Sequence, residues 1–174
     1  MAHLARRFFG ALWPGRPAAR DDAWVQSFST PGEYALWAGM ANHDRRHSIG
    51  VARRVEATLV GTEYADDPEW LEAALLHDVG KLDARLGVLG RVGATLAGAT
   101  AGHDRAQVWS GKRGITRRVG LYLRHGELGA IRIRHASGSE SAARWALAHH
   151  DEDAWAGTGI PPVVIEALHT ADDD

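Results

Sequence analysis

The chain has 174 residues, 45% of them hydrophobic, which suits one domain around one core rather than two. It contains no cysteine, so a disulfide framework and a thiolate metal site are both excluded, and any metal must be held by histidine and carboxylate. A net charge of -2, beside ten histidines counted as neutral, gives no electrostatic reason to expect nucleic acid as a partner.

The first stretch, MAHLARRFFGALWPGRPAAR, sets Arg6 and Arg7 before an apolar run ended by Pro14. At about six residues that run is too short for a signal sequence or a spanning helix, and a cytoplasmic protein is expected. Residues 1–30 read as an arm or short helix. Either the arm folds onto the domain, or residues 6–13, through Phe8, Phe9, Leu12 and Trp13, touch a membrane surface as an interfacial helix.

Residues 31–174 read as one all-α domain, because apolar residues recur at helical spacing and no sustained alternation marks a strand. Thr30-Pro31 caps and opens a helix through GEYALWAGM. Asn42 caps a longer one, on which His47, Val51, Val55 and Leu59 share a stripe. Asp67-Pro68 starts a third, running through Trp70, Leu71, Ala74, Leu75 and Asp78 to Gly80 as a left-handed C-terminal residue. The glycine-rich segment 83–114 is expected to be irregular, a broken or mobile cover. Helices resume over 115–124, 127–136, 139–150 and 161–172, the last opened by Pro161-Pro162.

Four His-Asp dipeptides occur, at 43–44, 77–78, 103–104 and 150–151, and only His77-Asp78 is embedded in an apolar helix. Asp78 takes the place on the Leu71, Ala74, Leu75 stripe where leucine would be expected, at a cost of several kcal/mol unless it is paired or ligated. Two readings satisfy it: a metal ion shared with His77, or a buried His-Asp hydrogen bond with no metal. His47 lies on the apolar stripe of the preceding helix, and Ile165, Leu168 and Asp172 put another carboxylate on a leucine stripe near the end. His3, His103 and His135 sit in polar or basic contexts and are assigned to solvent, and Asp173 and Asp174 to a solvated tail; His43, four residues before His47, could share a metal with it, but Asn42 and Asp44 place it in the first exposed turn.

The order His47, His77-Asp78, Asp172 resembles the H…HD…D motif of the HD superfamily of metal-dependent phosphohydrolases, over residues from roughly 31 onward. The resemblance implies a helical bundle with these four residues as metal ligands and Asp78 at the centre of catalysis. LLHDVGK is close to the family's HD-containing helix end. There Lys81 would stand near substrate phosphate, with the alternative that it is a cation complementing the helix dipole. RHGELGA resembles the H-x-x-x-G-A element of di-metal members and implies His125 as a ligand. ALAHHDEDAWAGTGIPP resembles the His-His segment of HD-GYP phosphodiesterases and implies His149 and His150, although Ile160 stands where that branch has tyrosine and the following loop is longer.

Mixed imidazole and carboxylate ligation suits Mn²⁺, Fe²⁺ or Zn²⁺, with Mg²⁺ and Co²⁺ in a more open site. Asp78 could bridge two ions, one served by His47, His77 and Asp172 and the other by His125, His149 and His150. Lys112, Arg113, Arg117, Arg118 and Arg124 form a basic cluster, of which Arg117, Arg118 and Arg124 are candidates for phosphate binding. The cluster lacks Walker spacing, and no aromatic platform accompanies it for RNA. The expected function is hydrolysis of a phosphoester or phosphoanhydride of a nucleotide or small phosphorylated metabolite, through water activated by one or two divalent ions. The alternative is a non-catalytic HD-type sensor or partner-binding module that holds metal or nucleotide.

Overall fold

The computed structural model describes residues 15–173, and the side chains of all of these but 99–103. The N-terminal membrane-contact candidate 6–13, His3, Asp174 and the side chain of His103 therefore lie outside the described residues. The class is all-α: among the described residues there are eleven helices and no strand. None of them is long and apolar enough to cross a membrane.

Helix α1, Ala19–Phe28, leads into α2, Pro31–Gly39, which opens on a capping box. Thr30 accepts from the Glu33 amide at 3.3 Å while a Glu33 oxygen accepts from the Thr30 amide at 2.9 Å, so two donors at the helix start are satisfied reciprocally. Helix α3, Asn42–Leu59, is capped at Ala41 and not by the Asn42 side chain. Helix α4, Pro68–Leu76, begins as its Asp67-Pro68 signal requires, with Asp67 accepting from the Glu69 amide at 3.0 Å.

Beyond these lie α5, Lys81–Ala84; α6, Val88–Ser110; α7, Gly114–Leu123; α8, His125–His135; α9, Glu140–Ala148; α10, Glu152–Trp155; and α11, Pro162–Asp173. The main core is where α3, α4, α9 and α11 meet, filled by Trp37, Val55, Leu75, Ile133, Trp145 and Leu168. Arg54 clamps α3 to α11, with Nε and Nη2 donating to the Ala171 carbonyl at 2.9 and 2.6 Å.

Segment 83–114 departs from expectation. Instead of broken cover it holds one 23-residue helix, α6, which pairs with α7 as an antiparallel hairpin over a small separate core of Ala84, Leu86, Ala94 and Leu121. Small residues are needed because the two backbones nearly touch: a Cβ on Gly120 would fall 2.3 Å from the Ser110 amide nitrogen. The helix-breaking tendency of glycine is here offset by close packing.

Glu33 is fully buried, and its other oxygen accepts from the Ser139 amide at 3.2 Å, joining the start of α2 to the start of α9. Buried Glu72 of α4 lies beside it, the two carboxyls within hydrogen-bonding reach. Burial first, then the charge of Glu33, pushes the Glu72 carboxyl up to about 8 from the ordinary 4.5. Between those values the unfolded chain binds fewer protons than the folded one, so this pair costs stability progressively as pH rises. Glu72→Gln keeps a donor without ionising. We expect it to match wild type near pH 5 and to be more stable by about 2 kcal/mol at pH 8, roughly 4–8 °C in Tm; superimposable calorimetric profiles would show that Glu72 is charged in the fold.

Candidate metal centre

Helix α4 stops one residue before His77, and residues 77–80 form a tight turn into α5, with the Val79 and Lys81 amides donating to Leu76 and Asp78 at 3.0 Å. Gly80 is not left-handed, as the sequence suggested, but has φ -66° and ψ -16°. Its lack of a side chain serves space instead: a Cβ there would lie 1.9 Å from the His125 carbonyl oxygen and 2.6 Å from the Gly129 nitrogen. The start of α8 crosses directly over the turn, which brings His125 onto Asp78. Gly126 repeats the device towards α9, where a Cβ would meet the Ala146 oxygen at 2.8 Å.

Those crossings gather seven side chains from distant parts of the chain. Ligand atoms of His47, His77 and Asp78 lie within 4.8 Å of one another, as do those of Asp78, His125, His149 and His150. Asp172 completes the first group, its Oδ1 lying 2.8 Å from His47 Nε2 and 3.6 Å from His77 Nε2. Asp78 belongs to both: Oδ2 faces His77 Nε2 at 3.4 Å, while Oδ1 faces His125 Nε2 at 3.4 Å and His149 Nε2 at 3.7 Å.

Three of the imidazoles are held identically. Nδ1 of His77, His125 and His149 donates to the carbonyl three residues earlier, on Ala74, Tyr122 and Ala146, at 2.8, 2.7 and 2.9 Å. Each ring thus turns its Nε2 inward, where the neutral imidazole offers a lone pair. Inside, the Nε2 atoms of all three and Asp78 Oδ1 are buried with no hydrogen-bond partner. Four orphaned polar atoms converging on one space would be costly in an ordinary core. Their mutual separations are long for hydrogen bonds, yet atoms each about 2.0–2.2 Å from a common cation stand roughly 3.0–3.5 Å apart. The donor set fits a divalent ion, and this buried His/Asp group could hold one.

Electrostatics agree with that fit. Burial opposes charge on His77, but Asp78 and then Asp172 outweigh it and raise the ring to about 9, so a proton stands where positive charge is wanted. Burial lowers His47 and His149, and burial followed by the neighbouring rings of His149 and His125 lowers His150 to about 3, keeping these imidazoles neutral and able to ligate. Burial also works against the carboxylate of Asp78, yet Lys81 and His77 hold it well below the usual range. The ammonium of Lys81 donates to Asp78 Oδ2, and this carboxylate raises Lys81 against its own burial.

The arginines proposed for phosphate divide: Arg124 lines the cleft beside His125, whereas Arg117 and Arg118 do not line it. Arg117 and Arg118 are exposed on α7, Arg118 donating to the Ala84 carbonyl at 3.0 Å, and Arg124 is paired with Glu127 at 2.9 and 2.6 Å. His135 is exposed as expected, whereas His169 leans on Trp155 with ring centroids 4.8 Å apart. Sequence reasoning missed Asp44, which is buried, not solvated. Arg91 grips it with two bonds of 2.5 and 2.7 Å, and His43 Nε2 lies 3.3 Å away, half-buried. The clue was available: Arg91 is the lone charge in a long run of small and apolar residues, and an unpartnered arginine there needs an acid.

A cleft of about 400 Å³ opens beside the second group, between the α7–α8 junction, the end of α9 and the loop that follows, and His125, His149 and His150 form its inner wall.

Gly80→Ala should force α8 off the turn, lowering stability by about 1–3 kcal/mol and reducing bound divalent metal per chain. Gly87→Ala, where a Cβ meets nothing within 4 Å, is the control. Equal melting curves and metal content for the two variants would refute the packing role of Gly80.

No protein-family model, curated protein or solved structure matches this chain.

Proposed function

We propose that this chain is an HD-type metal-dependent phosphohydrolase that cleaves a phosphoester or phosphoanhydride bond of a nucleotide or other small phosphorylated molecule. The observation that carries this reading is the convergence of buried, unpartnered Nε2 atoms on Asp78, those of His125 and His149 on Oδ1 and that of His77 on Oδ2. A divalent ion pair, when bound, supplies Lewis acidity and a more acidic water for in-line attack at phosphorus.

The protein's own groups divide the remaining work. His47, His77 and Asp172 would hold one ion and His125, His149 and His150 the other, with the two oxygens of Asp78 turned one towards each group. The carbonyl bonds to Nδ1 lock ring orientation, so little reorganisation accompanies binding. Lys81 stays protonated beside Asp78, and its ammonium, on a flexible stem and not fully enclosed, is placed to receive a phosphate oxygen. His150 is the exposed member of its group, so substrate would approach from that side.

The decisive experiment measures metal per chain by plasma mass spectrometry together with phosphate release from a nucleotide and aryl phosphate panel. Wild type is expected to carry about two divalent ions and to turn over at least one substrate. Asp78→Ala should lose both properties with its far-ultraviolet circular dichroism kept. Wild-type turnover in Asp78→Ala would sink the proposal, whereas full metal with no turnover on any phosphate would point to a binding module.

A further inference from the structure

We propose that the cleft beside His150 seats the non-reacting organic part of the substrate, and that Leu147 and Arg144 set the kind of group it takes: one neutral, flat ring system of about nucleoside size. This rests on the hydrolase reading of the neighbouring site. The cleft's inner wall is made of candidate ligands, and His150, their exposed member, borders the open space, so a phosphate held there directs its ester substituent outward into the cleft.

The walls describe the substituent. Arg144, Leu147 and Ala148 stand at i, i+3 and i+4 on one face of α9, the face turned away from the main core. Leu147 is 51% exposed, a large apolar side chain presented to the cleft on a helix whose other apolar residues, such as Trp145 and Ala146, are buried. Ala154, on the short helix α10 across the cleft, faces it as a second apolar surface. Arg144 is pinned at the rim, Nη1 donating to the Thr158 carbonyl at 3.1 Å and Nε to Glu140 at 3.2 Å, which fixes its planar guanidinium where a ring can stack on it.

Charge narrows the class. The cleft's two arginines, Arg124 and Arg144, are matched by Glu127 and Asp151. A lining with no net charge favours a neutral nucleoside-like group over a polyphosphate tail. Its volume of about 400 Å³ lies at the small end of ligand sites, enough for one ring system with its sugar.

The test uses the full chain loaded with Mn²⁺ and measures binding by calorimetry, with adenosine 5′-monophosphate and inorganic phosphate as probes. Wild type is expected to bind the nucleotide at least about tenfold more tightly than phosphate, from burial of the ring. Leu147→Trp, which fills the cleft, and Arg144→Ala, which removes its rim, should each bring that ratio towards one with metal content at the wild-type level. If wild type binds both probes equally, or if both variants keep the wild-type ratio, the cleft assignment is overturned while the metal site stands. If neither probe binds to metal-loaded protein, the hydrolase reading itself fails, and this inference with it.

Discussion

The buried carboxylate of Asp78 is the constraint on which the rest of the centre depends. Only 3% exposed, it occupies a position that a leucine would fill without cost, and burial takes it out of bulk solvent. Every neighbouring feature answers that charge: the ammonium of Lys81, the raised basicity of His77, and the Nε2 atoms of His125 and His149 drawn towards Oδ1. Yet the protein's own groups leave part of the demand unmet, since those Nε2 atoms and Oδ1 are still without hydrogen bonds. A fold that keeps an unsatisfied buried cluster is usually keeping it for a ligand.

Bringing so many polar groups together takes exact backbone placement, and glycine supplies it. The carbonyl of His125 rests where a Gly80 side chain would be, and the Ala146 carbonyl where a Gly126 side chain would be. These contacts set the spacing between the His77–Gly80 turn, α8 and α9, so the imidazoles are positioned by the main chain and then locked through their Nδ1 bonds. Rigid orientation of donors before an ion arrives lowers the reorganisation that binding entails.

A different logic governs the α6–α7 hairpin. Its small core is separate from the main one, and the Arg91–Asp44 pair links α6 to the first turn of α3, three residues before His47. That partly buried, bidentate bond has the geometry in which an ion pair is strongest. It attaches the hairpin next to the site.

Much of this was legible from residue order alone. Helical periodicity determined the all-α class, the proline and Asx/Thr signals located the starts of α2 and α4, and polar residues on apolar stripes marked His47, Asp78 and Asp172, because an interior charge conflicts with the pattern around it. His125, His149 and His150 have no such local signature; they were noticed through resemblance, and only folding put them beside Asp78. The role of Gly80 was misread, since a sequence records that a side chain is missing but not whether conformation or a crossing helix requires it. The continuity of α6, the burial of Asp44 and the pairing of Arg124 with Glu127 were likewise decided by tertiary contacts, for a glycine or a charge acquires its meaning from what lies across from it. Local spacing determines which faces are apolar; which distant polar groups meet depends on how closely the backbones can pack.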